Sequence, residues 1–221
     1  MVIAFLPLSY LAAASGARLL DSDLTRLDAL LFGFDWDTAA RWVANHPTLD
    51  HVLRAAYSSM VYQVVAVLLI GSLARPGDRN GEFIWSCAVG CILTCAIFVF
   101  TPALGKVGHI GTAQVETLTM IRNGPWTVFD YERATGLINF PSFHTTLAIL
   151  FSYAVRRHRW ALAIFIPLDA LLIASTPTVG GHYLVDLPAG AAVAIASIVS
   201  ARAIRRRVAP KLAGSAFAQE L

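Results

Sequence analysis

The chain has 221 residues, 57% hydrophobic and 14% charged, with a mean hydropathy of +0.62 and a formal net charge of +3. That balance lies well outside the range of water-soluble domains and marks an integral membrane protein. Spans of roughly 20 apolar residues each would use up nearly all of the sequence, so residues 1–221 are expected to form one all-α domain, with a core over about 55–205.

In chain order, the first apolar run, Val2 to Ala17, is short and ends in "LAAASGA", which is similar to a signal-peptide cleavage region. No basic residue precedes it, so it is expected to be retained as a first helix. From Arg18 to Arg54, Asp, Arg and Trp alternate with leucines at helical spacing, too charged to cross a bilayer. This segment is expected to be an amphipathic helix at the interface, anchored by Trp36 and Trp42. Apolar spans follow at about 55–74, 83–101, 143–155, 160–176 and 184–201, giving a bundle of about six transmembrane helices. Cys87, Cys91 and Cys95 recur every four residues within the second of these spans and read as buried packing on one helix face. The segment "RPGDRNGE" after Ala74 is a turn. Residues 102–140 form the one long loop, a length that tends to carry function.

The basic residues set the orientation. Arg75, Arg79, Arg156, Arg157, Arg159, Arg202, Arg205, Arg206, Arg207 and Lys211 collect on one side, which is cytoplasmic by the positive-inside rule. The run at 205–207 then serves as a topology anchor, and no nucleic-acid partner is expected. The same assignment puts His144 and His182 together on the outer face.

Two short stretches carry those histidines. In "FPSFHTT", Pro141 suits a first helical turn, Ser142 can cap free amides, and His144 follows. A helix start of this kind offers unpaired N–H groups to a phosphate. In "STPTVGGHYLVDLPAG", Gly180 and Gly181 permit close backbone approach, and His182 is expected to open a helix with Asp186 one turn on. A carboxylate there can fix the imidazole tautomer and leave the second nitrogen to attack phosphorus or to carry a proton. Two ionisable groups at the mouths of separate spans point to function rather than packing.

These stretches resemble the second and third signatures, PSxH and SRxxxxxHxxxD, of the type 2 phosphatidic acid phosphatase superfamily. "GLINFPSFHTTLA" and "GGHYLVDLPAG" are most similar to its branch of inositol phosphorylceramide synthases and sphingolipid phosphotransferases, from about Tyr57 to the last span. The resemblance implies a six-helix membrane fold and metal-free chemistry without a cofactor. It implies a lipid phosphate or phospholipid substrate, met at the extracytoplasmic face of a plasma or inner membrane. It makes His182 the nucleophile of a phosphohistidine intermediate, His144 the acid, Asp186 the orienting carboxylate, and Ser142, with neighbouring amides such as that of Gly181, a phosphate ligand. The pattern departs at Thr176, where the signature has arginine, and the first signature, KxxxxxxRP, is absent. A non-catalytic lipid-binding or transporter-like protein that kept the pocket is therefore the alternative. Replacement cations are expected from the long loop: Arg122 first and Lys106 second, with His109 a further candidate, while Arg133, beside Glu132, reads as a solvated loop charge. Tyr57, Ser59 and Gln63 either line the substrate cavity or bond a neighbouring helix. Asp169, in mid-span, must be neutral or paired, for structure or for catalysis.

Overall fold

The computed structural model describes residues 2–73, 79–106, 112–124 and 136–217. Arg75, Pro76, His109 and Arg133 lie outside them. The described residues form ten helices: α1 (Val2–Ala13), α2 (Asp21–Phe32), α3 (Trp36–Ala44), α4 (Pro47–Ser58), α5 (Met60–Leu73), α6 (Arg79–Phe100), α7 (Thr112–Asn123), α8 (Phe143–Ala154), α9 (Arg159–Gly180) and α10 (Asp186–Phe217). The all-helical class is as expected.

The count of six spans is not fixed by helix length and composition among the described residues. Three stretches are long and apolar enough to cross a membrane, Asn80–Phe100, Arg159–Gly180 and Asp186–Arg206, and α4 with α5, bent by 48°, would make a fourth. Helix α8 has 12 residues, about 18 Å of rise against roughly 30 Å of hydrocarbon. Its apolar character has another cause. α8 packs against α5, α6, α9 and α10, and Leu147, Ala148, Leu150 and Phe151 are buried in their midst. A helix sheathed by protein and one sheathed by lipid have the same composition, so composition alone does not decide whether α8 crosses the membrane. α1 is likewise only 12 residues long.

The expected interfacial helix is also different. Residues 18–54 break at Gly33, left-handed at φ 58°, and again before Pro47, which occupies the first turn of α4. The result is α2, α3 and the start of a bent element rather than one amphipathic rod. Trp42 is exposed, as an interface anchor should be, but Trp36 is buried and its indole N–H donates to the Pro177 carbonyl at 2.6 Å. It ties α3 to the end of α9 instead of reaching lipid headgroups. The three cysteines are free and buried, packing α6 into two apolar clusters, as their spacing predicts.

Asp169 of α9 is paired: the Ser152 hydroxyl of α8 donates to its carboxylate at 2.5 Å. Gly190 lets α10 cross the start of α8. A Cβ there would meet the Ser142 carbonyl group and lie 3.1 Å from the Thr145 Cβ, while the Thr146 hydroxyl reaches the Gly190 carbonyl at 2.9 Å. Gly190→Ala therefore forces the two helices apart and is expected to cost about 1–3 kcal/mol, read as a lower Tm. An unchanged Tm and unchanged turnover would show that the crossing tolerates the methyl group.

Candidate active site

The end of the bundle where α9 stops and α8 and α10 begin gathers the residues singled out by sequence. Helix α9 closes at Gly181, left-handed at φ 67°, a conformation that glycine adopts without steric cost. The chain then turns back, and the His182 amide donates to the Thr176 carbonyl at 3.1 Å. His182 was expected to begin a helix; it lies instead in the turn, and α10 starts at Asp186. Pro141 likewise stands outside α8, whose N-cap is Ser142.

Within that turn the His182 Nδ1 sits 3.2 Å from the Asp186 Oδ2, both residues being buried. The same carboxylate oxygen accepts the Tyr183 amide at 2.8 Å. Asp186 is thus held by backbone and can in turn hold the imidazole in one tautomer, with the other ring nitrogen facing away from it. Burial pushes the His182 imidazole down to about 4, against a smaller opposing pull from the Asn139 backbone carbonyl. The ring is therefore neutral at physiological pH, the state that a nitrogen nucleophile requires.

His144 comes from the first turn of α8, and its ring centroid is 5.5 Å from that of His182, the planes meeting at 76°. Tyr57 of α4 stacks on His144, with centroids 4.4 Å apart, and a Cβ at Gly180 would meet both the same tyrosine ring and the His182 ring. Of the two roles left open for Tyr57, lining the site is the one its position supports. Ser142 caps α8: its Oγ accepts the Thr145 amide at 3.2 Å, and its own amide donates to the Asp186 carbonyl at 3.2 Å. That second bond docks the His144 helix onto the Asp186 helix.

The two cations expected from the long loop are placed unequally. The Lys106 amide donates to the Gly181 carbonyl at 3.0 Å, its Nζ lies 3.1 Å from the Thr25 hydroxyl, and it stands 5.4 Å over the Tyr183 ring. Arg122, in the last turn of α7, donates to the Ala13 carbonyl at 3.3 Å, and its buried Nη2 has no partner among the described residues. No described contact joins Arg122 to either histidine. Thr176, where the signature has arginine, is buried and bonds the Ile173 carbonyl, so it supplies no charge.

Sequence reading missed the bracing from the N-terminal helices. Asp28 of α2 is buried and accepts the Leu184 and Val185 amides at 2.8 and 2.9 Å, across 156 and 157 residues of chain. Asp21 accepts the Gly105 amide at 2.8 Å and the Tyr183 hydroxyl at 2.9 Å. Asn139 joins the Leu104 carbonyl to that of Gly181, at 2.7 and 3.4 Å. The only sequence signal was acidic residues on a segment otherwise read as interfacial, and solvation explains such residues equally well. A cavity of about 670 Å³ borders this region through Ala174 and Thr178, but neither histidine lines it.

Comparison with known proteins gives a family and no individual relative. No curated protein and no solved structure matches the chain. A family profile, that of the PAP2 superfamily, matches residues 22–200 of the 221, taking in Asp28 and all of α2 after Asp21 as well as both histidine stretches. With that match covering most of its length, this helical membrane chain belongs to the PAP2 superfamily.

Proposed function

We propose that the protein cleaves or transfers a phosphate-linked group on a lipid by metal-independent covalent catalysis at the extracytoplasmic face of a plasma or inner membrane. The observation that carries this reading is the convergence of two imidazoles from separate segments, 5.5 Å apart, with a buried carboxylate on one of them. The His182 nitrogen not bonded to Asp186 attacks phosphorus. The bond from phosphorus to the leaving alcohol oxygen breaks, and His144, which takes up a proton as the anionic phosphate enters, gives that oxygen its proton. In the second half, water or an acceptor alcohol gives its proton to His144 and attacks phosphorus; the P–N bond breaks and restores neutral His182. Asp186 stabilises the positive charge that develops on the His182 ring. Water as acceptor makes the enzyme a lipid phosphatase. A lipid alcohol makes it a phosphotransferase of the inositol phosphorylceramide synthase type, the branch that the wording around both histidines resembles.

Lys106 is our first candidate for the cation that faces the phosphate, because its backbone is bonded to Gly181 beside His182; Arg122 is the second. Lys106→Ala is expected to lower kcat/KM by about 10-fold or more, the scale of one charge-assisted contact, and Arg122→Ala by less. The reverse order would return the role to Arg122.

The deciding experiment incubates detergent-purified protein with lipid phosphates, isoprenoid pyrophosphates and phosphosphingolipids, measuring both released phosphate and new lipid products. New phosphate or a new phospholipid supports the reading, and no turnover of any of them favours a lipid-binding protein instead. Because the His182 imidazole titrates near 4, the nucleophile is neutral above that value and becomes protonated below it. On a nitrophenyl ester, whose leaving group needs no proton from His144, formation of the phosphoenzyme is thus expected to hold its rate from neutral pH down to about 5 and to fall as pH drops through about 4. A fall centred near 6.5 would place His182 in water.

A further inference from the structure

At the end of the bundle away from the histidines lies a second charged assembly. Glu82, in the first turn of α6, accepts the Tyr153 hydroxyl at 2.5 Å, Arg205 Nη1 at 2.8 Å and Arg156 Nη2 at 3.3 Å, and Arg202 Nε lies 3.6 Å away. Arg156 also covers the Tyr153 ring at 3.8 Å and donates to the Tyr153 carbonyl at 2.7 Å. Between them opens a cavity of about 250 Å³, lined by Glu82, Phe83, Tyr153, Arg156, Arg157 and Arg205 among others. Three arginines, Arg156, Arg157 and Arg205, and one carboxylate line it, a net positive set. The side chains of Arg156 and Arg205 are each 33% exposed and that of Glu82 is 11% exposed, so solvent screens this excess charge only in part. An anion in the cavity would relieve it.

Two observations say which anion. Asp186 and Arg205 stand on one helix, α10, about 28 Å apart at 1.5 Å per residue, close to one hydrocarbon thickness. The cavity therefore sits at the opposite membrane surface from the histidine pair. At that same end, Trp85 of α6 and Trp160 of α9 are 50% and 60% exposed, and Ile84 is 50% exposed, the amphipathic belt of a headgroup boundary with apolar surface beside it. A free phosphate would use the arginines but leave that apolar rim idle, whereas a phospholipid uses both.

We propose that this cavity binds the phosphate of an anionic lipid headgroup in the leaflet opposite the histidines, with Arg156, Arg157 and Arg205 as its ligands and Glu82 spacing them. The site is separate from the reaction proposed above and does not depend on it. Thermal unfolding of the full-length protein in zwitterionic micelles tests it, with phosphatidylglycerol, phosphatidylcholine or inorganic phosphate added. Phosphatidylglycerol is expected to raise Tm by roughly 4 °C or more at saturation, and the other two are not. Arg157→Gln leaves the described Glu82 bonds in place, so it is the safer variant for folding. It is expected to raise the phosphatidylglycerol concentration at half effect by about tenfold, and His182→Ala to leave it unchanged. Equal shifts with phosphatidylcholine would mean general solvation, and equal shifts with inorganic phosphate would mean a soluble anion; either overturns the proposal. So does a shift lost in His182→Ala but kept in Arg157→Gln, because the lipid would then be bound at the catalytic end.

Discussion

His182→Ala is expected to reduce turnover by about 10⁴-fold or more and to abolish covalent labelling by substrate phosphate, with the protein still folded. The reason is local. His182 is buried in a turn fixed by Gly181 on one side and Asp186 on the other. His144→Ala should behave differently in a diagnostic way. General acid catalysis is worth about 10²–10⁴-fold, but only while the leaving group needs a proton. A lipid alkoxide needs one and a nitrophenolate does not. The His144→Ala loss should therefore shrink sharply on a p-nitrophenyl phosphate ester, whereas the His182→Ala loss should be the same on both substrates. Phosphate labelling that persists in His182→Ala would falsify the assignment of the nucleophile. Equal losses for His144→Ala on the two substrates would remove its role as acid.

The second large effect is expected far from the histidines in sequence. Asp28→Ala removes a buried carboxylate that accepts the Leu184 and Val185 amides, and alanine brings no side-chain acceptor in its place. Two buried donors lose charge-assisted bonds worth about 1.5–3 kcal/mol each, partly recovered if water enters. The turn from Gly181 to Asp186 would then lose its outer support, and His182 its fixed distance from His144. Turnover is expected to fall by at least about 10²-fold, since near-ångström displacement of a reacting group carries that scale of penalty. Hydrogen exchange at residues 184 and 185 should accelerate in parallel. Asp28→Asn keeps one acceptor oxygen and should lie between the two. A folded Asp28→Ala protein with wild-type turnover and unchanged exchange would show that α2 only covers the site.

These two expectations differ in how legible they were. His182, Asp186 and His144 could be read from the sequence because their chemistry is written locally. An imidazole and a carboxylate four residues apart, and a Pro-Ser stretch before a second histidine, keep their spacing whatever surrounds them. Buried cysteines every four residues in α6 were legible for the same reason, since helical periodicity alone decides which face they share. Asp21, Asp28 and Asn139 were not. Each is an ordinary polar residue in its own segment, and its importance comes from groups 35 to 162 residues away.

By itself, then, the amino-acid sequence determined a helical membrane chain, its buried cysteine face and the identity of a histidine pair, because composition and short spacing are properties of neighbours along the chain. Only the tertiary structure decided that α8 is sheathed by helices rather than lipid, that Trp36 points inward, and that Lys106 rather than Arg122 stands beside the Gly181 turn. Those outcomes depend on which surfaces meet. An apolar helix gains much the same free energy against protein as against hydrocarbon, and a loop cation is equally well solvated in many positions. Local chemistry leaves such choices nearly degenerate, and contacts across the whole bundle break the tie.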